Sequence, residues 1–330
     1  QMISPCQDAI KRGYIAKDDQ LVYQRETVLP HSGGRTCHEI ALMNRLSATV
    51  EWDRCMDLSR LSYQGIPIGW LAKGDDGSDA SLPFERRFIG GMLYTCGLGN
   101  VGPAEDFEPM HGRIHLQSAE MRSVRLDSRA LTLQGRMRES ALFGENLLLE
   151  RTLTFPLASS EVLINDVITN QSPRPQPYML LYHINLGYPM LSEHLRLRLP
   201  EGTETDPATE HARGHLEALS TFAPPDPDFE EQDFYHRLPV VDSHCGVSAE
   251  NLALGIGMRI RYRADTLPYL IEWKCLRSGD YVLGLEPSNN RVCGRSQALT
   301  DGSIQMLRPF ESVWTEVALS FYPLETQKGL

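Results

Sequence analysis

The stretch LLLERTLTF, Leu147 to Phe155, alternates in polarity: Leu149, Arg151 and Leu153 share one parity, Leu148, Glu150, Thr152 and Thr154 the other. A period of two is the signature of a strand with one covered face. A second run, EVLINDVIT (Glu161–Thr169), follows at once and is interrupted by the polar pair Asn165-Asp166. Comparable runs return at YMLLYHI (Tyr178–Ile184), Leu252–Arg263, Tyr269–Cys275, Tyr281–Leu285 and Ser312–Tyr322, bounded by Gly, Pro, Asn and Asp. Such short, turn-bounded runs with no regular helix between them predict an all-β fold of antiparallel sheets rather than βαβ units. The best helix candidate is Ala41–Leu61, although its apolar residues (Leu42, Met43, Leu46, Ala48, Val50) fit neither period well.

With 330 residues, 41% of them apolar, the chain can bury a large core. It shows no internal repeat, no low-complexity tract and no clear boundary. One large domain over residues 1–330 is therefore expected, with roughly the first 30 residues peripheral. Formal charge is 32 − 43 = −11, which argues against non-specific nucleic-acid binding. No apolar run approaches the ~18 residues of a membrane helix. Gln1–Lys11 lacks a basic region followed by an apolar run, so no export signal is expected. Seven irregularly spaced cysteines read as thiols rather than as a disulfide framework. The expectation is a soluble, reduced, cytoplasmic protein. Pro200–Asp233 stands apart, with ten acidic residues, one arginine and five prolines. It reads as an irregular, mobile surface segment, or as a lid over a site.

Motifs narrow the chemistry. Gly97-Leu98-Gly99-Asn100-Val101-Gly102 matches GxGxxG in letters, but Pro103 and Pro109 follow where a dinucleotide loop would open a long helix. No cofactor is expected from it. His111 and His115 are four apart in PMHGRIH, read as turn then strand, and His244-Cys245 could add ligands; with no CxxC or HExxH, no metal is assigned. More telling are His111, His183 at the end of an apolar run, and Glu286 in a turn-rich one. Histidine with carboxylate supplies an acid and a base on either side of neutrality. A satisfied core histidine is the other fate open to each.

Four blocks in order, GGMLYTCGLGNVGP (Gly90–Pro103), MHGRIH (Met110–His115), LLYHINLGYP (Leu180–Pro189) and GLEPSNNRVCGR (Gly284–Arg295), together resemble the aldose 1-epimerase-like proteins. Within them they resemble a subgroup carrying a domain of unknown function. The resemblance covers roughly residues 30–325. It implies a galactose mutarotase-type β-supersandwich with few short helices, and interconversion of sugar anomers through ring opening without a cofactor.

By the same resemblance His183 is the acid, Glu286 the base, and His111 a second site histidine near the ring oxygen. Arg113, Asn100, Asp242, Lys274 and Asn289 are the expected substrate contacts. Asp242 stands for the aspartate that holds sugar hydroxyls. The family carries asparagine where Tyr182 precedes His183. Its sugar-phosphate branch has an arginine ahead of Gly-Gly, where Phe88-Ile89 stand here behind Arg86-Arg87. The acidic balance disfavours anionic substrates unless Arg113, Lys274 or Arg295 gathers in the cleft. The partner implied is a small carbohydrate. A carbohydrate-binding protein without chemistry, or another sugar isomerase or lyase on the same scaffold, remain the rival readings. Ring opening requires His111, His183 and Glu286, 72 and 103 positions apart, around one pocket, facing each other across a gap one sugar ring wide.

Overall fold

The computed structural model describes residues 5–29, 34–74, 81–105 and 108–325. About half of the chain is strand. After helix α1 (Pro5–Lys11), strands β1 (Val22–Leu29), β2 (Arg35–Leu42), β3 (Leu46–Glu51), β4 (Asp57–Tyr63) and β5 (Ile66–Pro67) form an antiparallel sheet in chain order. Next come β6 (Trp70–Leu71), α2 (Phe84–Arg87), β7 (Gly90–Gly91), which pairs with β6, and β8 (Tyr94–Leu98). The remainder comprises β9 (Glu120–Leu126), β10 (Ala130–Ser140), β11 (Asn146–Pro156), β12 (Glu161–Asn170), β13 (Gln176–Leu186), β14 (Leu195–Arg198), β15 (Glu204–Pro207) and α3 (Glu210–Arg213). After these follow β16 (Gln232–Arg237), β17 (His244–Asn251), β18 (Ile256–Arg263), β19 (Tyr269–Arg277), β20 (Asp280–Ser288), α4 (Arg295–Thr300), β21 (Gln305–Leu307) and β22 (Ser312–Pro323).

Two large antiparallel sheets result. One runs β14-β17-β18-β22-β12-β11-β10-β9; the other runs β15-β16-β19-β20-β13-β21, with β8 also paired to β13. β12 alternates buried and half-buried residues along its whole length, as one covered face requires. β13 is buried continuously from Tyr178 to Leu186, because both of its faces are covered. Tyr178–Ile184 and Tyr281–Leu285 thus lie in interior strands of the second sheet.

The polar intruders of the two alternating runs find each other. Arg151 and Asp166 are register partners across β11–β12. The fully buried guanidinium bonds Asp166 through Nε and Nη2 at 3.0 and 2.7 Å. Its Nη1 donates to Asp57 and to the Cys55 carbonyl, both at 2.9 Å. Asp57 also accepts from the amide and hydroxyl of Thr95 on β8, and Asp166 from the Tyr182 hydroxyl at 2.7 Å. Five strands therefore meet at one cation.

Three expectations need correction. Ala41–Leu61 is no helix but the end of β2, then β3 and β4; Leu46, Ala48 and Val50 alternate on one face, and positive φ at Arg45, Cys55 and Met56 makes the turns. Leu252 is exposed in the turn before β18, so that strand begins at Ile256. Pro200–Asp233 is exposed for the most part but not simply irregular. It contributes β15 and α3, and its last two residues open β16.

Replacing Arg151 by Met would leave Asp57 and Asp166 buried without their cation. Unfolding free energy is expected to fall by about 3–5 kcal/mol, read by urea denaturation followed by circular dichroism. A loss below about 1 kcal/mol would show that the cluster does not hold the sheets together.

Candidate functional site

The register of the second sheet assembles the site. Leu181 lies opposite Ser288 and Ile184 opposite Leu285 across β13–β20, so His183 lies opposite Glu286 by the same count. Tyr94 on β8 pairs with His183 from the other side, Ile271 on β19 with Glu286, and Asp233 on β16 with Trp273. Alternation turns all of these side chains to one face.

His183 Nε2 stands 3.1 Å from Glu286 Oε1, with both side chains under a tenth exposed. The contact is close but not aligned as a hydrogen bond. Glu286 Oε1, His183 Nδ1 and His111 Nδ1 are all buried without a hydrogen-bonding partner among the described residues. Buried polar atoms are nearly always paired, so three unpartnered ones in one patch single it out as the candidate site. The His111 ring lies perpendicular to that of His183, with centroids 6.2 Å apart.

His111 arrives on a loop fastened to the end of β8. The Gly97 amide donates to the His111 carbonyl, and the Arg113 amide to the Gly97 carbonyl. A side chain at Gly97 would strike the Met179 carbonyl, and one at Gly112 the Gly97 carbonyl. Both positions also have positive φ, so both require glycine. The expected strand after His111 is instead a single 3-10 turn (Ile114–Leu116), which turns His115 into the interior. His111 and His115 therefore do not share a strand face, and neither do His111 and Arg113. Among the described residues no group of three or more His, Cys, Asp or Glu is placed to hold a metal.

Aromatic rings close over the pair. Phe88 lies 5.1 Å and Trp273 5.4 Å from the His183 ring, Trp70 packs on both, and Phe84 lies 5.0 Å from His111. The ring-wide gap expected between acid and base is therefore not present: the 3.1 Å contact and the aromatic rings close it. A groove of about 630 Å³ is lined by Trp70, Tyr23, Glu39, Arg60, Tyr188 and Tyr281 among others, and His183 is not part of its lining.

Such burial suppresses charge. Desolvation, then the neighbouring His111, brings His183 down to about 3. Desolvation, then Arg87, brings His111 down to about 4. Burial and then Asp233 push the Glu286 carboxyl well above the carboxylate range. Asp233 itself is pushed up to about 7 by burial, then by Glu231 and Glu272. Both imidazoles are therefore uncharged at neutral pH, and burial favours the protonated form of the Glu286 carboxyl.

The expected contacts fare differently. Asn100 donates to the Pro103 and Pro109 carbonyls and accepts from the Arg295 amide, so it braces the His111 loop. Asn289 bonds the Leu180 amide and the Tyr178 carbonyl within β13. Lys274 donates to the Ala218 and Thr221 carbonyls, both at 2.7 Å, and so fastens the acidic segment to the sheet. Arg113 pairs with Glu108 at 3.3 Å, and Arg295 donates to the Gly99 carbonyl. Asp242 is exposed in the turn before β17, a strand of the other sheet, and is not brought to the site. The sequence reading missed Asp233, Trp273 and Phe88. Asp233 carried a usable signal, because Asp233 and Tyr235 alternate with buried Phe234 and His236.

Residues 32–321 match the family model of a domain of unknown function, DUF4432. No curated protein matches the chain. Among solved structures, a candidate aldose 1-epimerase from Klebsiella pneumoniae superposes with a TM-score of 0.83 at 21% identity, over 93% of this chain and 84% of that one. A galactose mutarotase-like protein from Clostridium acetobutylicum gives 0.65 at 12% identity, over 92% and 100%. Galactose 1-epimerase from Lactobacillus acidophilus gives 0.62 at 11%, over 92% and 99%. At these identities the likeness is one of fold.

The Lys274→Met variant tests whether that lysine serves the fold. Losing two charge-assisted bonds should speed limited proteolysis within residues 208–230 several-fold, since local opening governs cleavage. Unchanged cleavage would free Lys274 for another role.

Proposed function

The chain belongs to the DUF4432 family, has the galactose mutarotase-type sandwich, and, we propose, is an aldose 1-epimerase-like isomerase that interconverts the anomers of a sugar by acid–base ring opening. The observation that carries this reading is the His183–Glu286 contact, buried, unpartnered and flanked by His111.

In the ring-opening step a carboxylate of Glu286 takes the proton of the anomeric hydroxyl while a protonated His183 gives one to the ring oxygen. The C1–O5 bond breaks, the aldehyde turns about C1–C2, and closure on the other face reverses both transfers. The two groups need one proton between them, and the burial that raises Glu286 favours keeping that proton in the site. Sugar hydroxyls entering between them solvate the charged arrangement and shift the proton from carboxyl to imidazole. In this reading His111 holds the ring-oxygen side and Asp233 accepts from a hydroxyl. Seven free cysteine thiols fit a reducing cytoplasm, where we place the activity.

Glu286→Gln keeps the shape and removes the base. Anomer exchange, followed by polarimetry or saturation-transfer NMR on a panel of aldoses, should fall by ~10²–10⁴ while sugar binding largely survives. Unaltered exchange would refute the mechanism, and binding without exchange by the native protein would favour a carbohydrate-binding module.

A pH profile gives an independent check. An ordinary imidazole at 6.5 would impose an acid limb there, but His183 is lowered to about 3, so the pair takes up no second proton near 6.5. In an Asp233→Asn variant, which removes the carboxyl that itself titrates at about 7, the acid side of kcat/KM should therefore remain flat through 6.5. An inflection there would mean that a solvated histidine is the essential group.

A further inference from the structure

We infer that the sugar carries a carboxylate, as in a hexuronate, and that the Nε–Nη2 edge of Arg87 receives it; this rests on the sugar-site reading above. Arg87, at the end of α2, is 2% exposed. Its Nη1 hydrogen-bonds to Nε2 of His115 and lies 3.5 Å from the Tyr94 hydroxyl, both neutral groups. Its guanidinium stands 5.6 Å from the Phe84 ring, whose other neighbour is His111.

Among the described residues no carboxylate lies within ion-pair distance of Arg87. Of the other buried arginines, Arg151 is gripped by Asp57 and Asp166 at 2.7–2.9 Å, and Arg54 lies 3.9 Å from Glu51. Arg151 also shows what the unused edge of Arg87 can do, because its own Nε and Nη2 grip the two oxygens of Asp166 at 3.0 and 2.7 Å. A planar carboxylate meets two parallel N–H groups with matched geometry. An unpaired buried cation destabilises the unliganded fold, so its retention points to a ligand that completes the pair. Charge balance favours a monoanion. The three nearby histidines are uncharged, leaving Arg87 as one positive charge to neutralise; a phosphate dianion would bring surplus negative charge toward Asp233 and Glu231. The overall acidity of the chain does not weigh against this, since a contact pair inside a dry site outweighs screened surface charge.

The test compares D-glucuronate and D-galacturonate with glucose, galactose and glucose 6-phosphate, using anomer exchange and the ligand-induced rise in Tm. The native protein should prefer uronates over the parent hexoses by about 10²-fold in kcat/KM, and Arg87→Gln should reduce that ratio at least tenfold, roughly what a bidentate charged pair supplies. Tm should rise with uronate in the native protein and not in Arg87→Gln. Without ligand, Arg87→Met should melt no lower than the native protein, because it removes an unanswered charge. Three results would overturn the inference: equal handling of hexose and uronate, a stronger response to the phosphate, or a lower Tm for unliganded Arg87→Met. If no sugar is exchanged but the Arg87-dependent uronate shift persists, the isomerase reading falls and the carboxylate site stands.

Discussion

The guanidinium of Arg151 is the constraint on which the architecture turns. Removing a cation from water costs several kcal/mol unless excellent geometry compensates. Here two carboxylates and a carbonyl surround it, and those carboxylates are in turn bonded by Thr95 and Tyr182. The cluster joins β4, β8, β11, β12 and β13, one strand of which carries His183 and another of which pairs with it. A slip of either register by one residue would send Arg151 or Asp166 to the wrong face without its partner, so the cluster fixes register as well as binding the sheets.

The site follows from that register. Tyr182 faces the core and bonds Asp166, which turns its neighbour His183 to the opposite face, against Glu286. Core polarity and site polarity thus occupy alternate positions of one strand. The same packing buries the site, and for that reason its histidines are held uncharged and its carboxyl is pushed toward the protonated form.

Much of the fold was legible because strand alternation is local. Leu147–Phe155 and Glu161–Thr169 show their covered faces in the sequence, and even the apparent defects, Arg151 and Asp166, explain one another once paired. Ala41–Leu61 misled because its turns rest on positive φ at ordinary residues such as Arg45 and Met56, which composition does not reveal. At the site, His111, His183 and Glu286 were traceable by family resemblance, and the structure brings the three together. Lys274, Asn100 and Asn289 looked like ligand-binding groups because their types suit sugars, but each is engaged by backbone atoms from distant elements. Asp233 was passed over as one more charge in an acidic run; only the pairing of β16 with β19 sets it opposite Trp273.

The ring of Phe88, lying against His183, Tyr94, Trp70 and Trp273, shapes how the protein meets its ligand. Because aromatic side chains fill the space over His183, a ligand is admitted there only by the fraction of molecules with that roof displaced. Apparent affinity is the intrinsic affinity scaled by that fraction. Substitutions that loosen α2 or β7, which flank this roof, could therefore tighten binding without touching the ligand. Selectivity among ligands would then depend on which one best replaces the packing that Phe88 gives up.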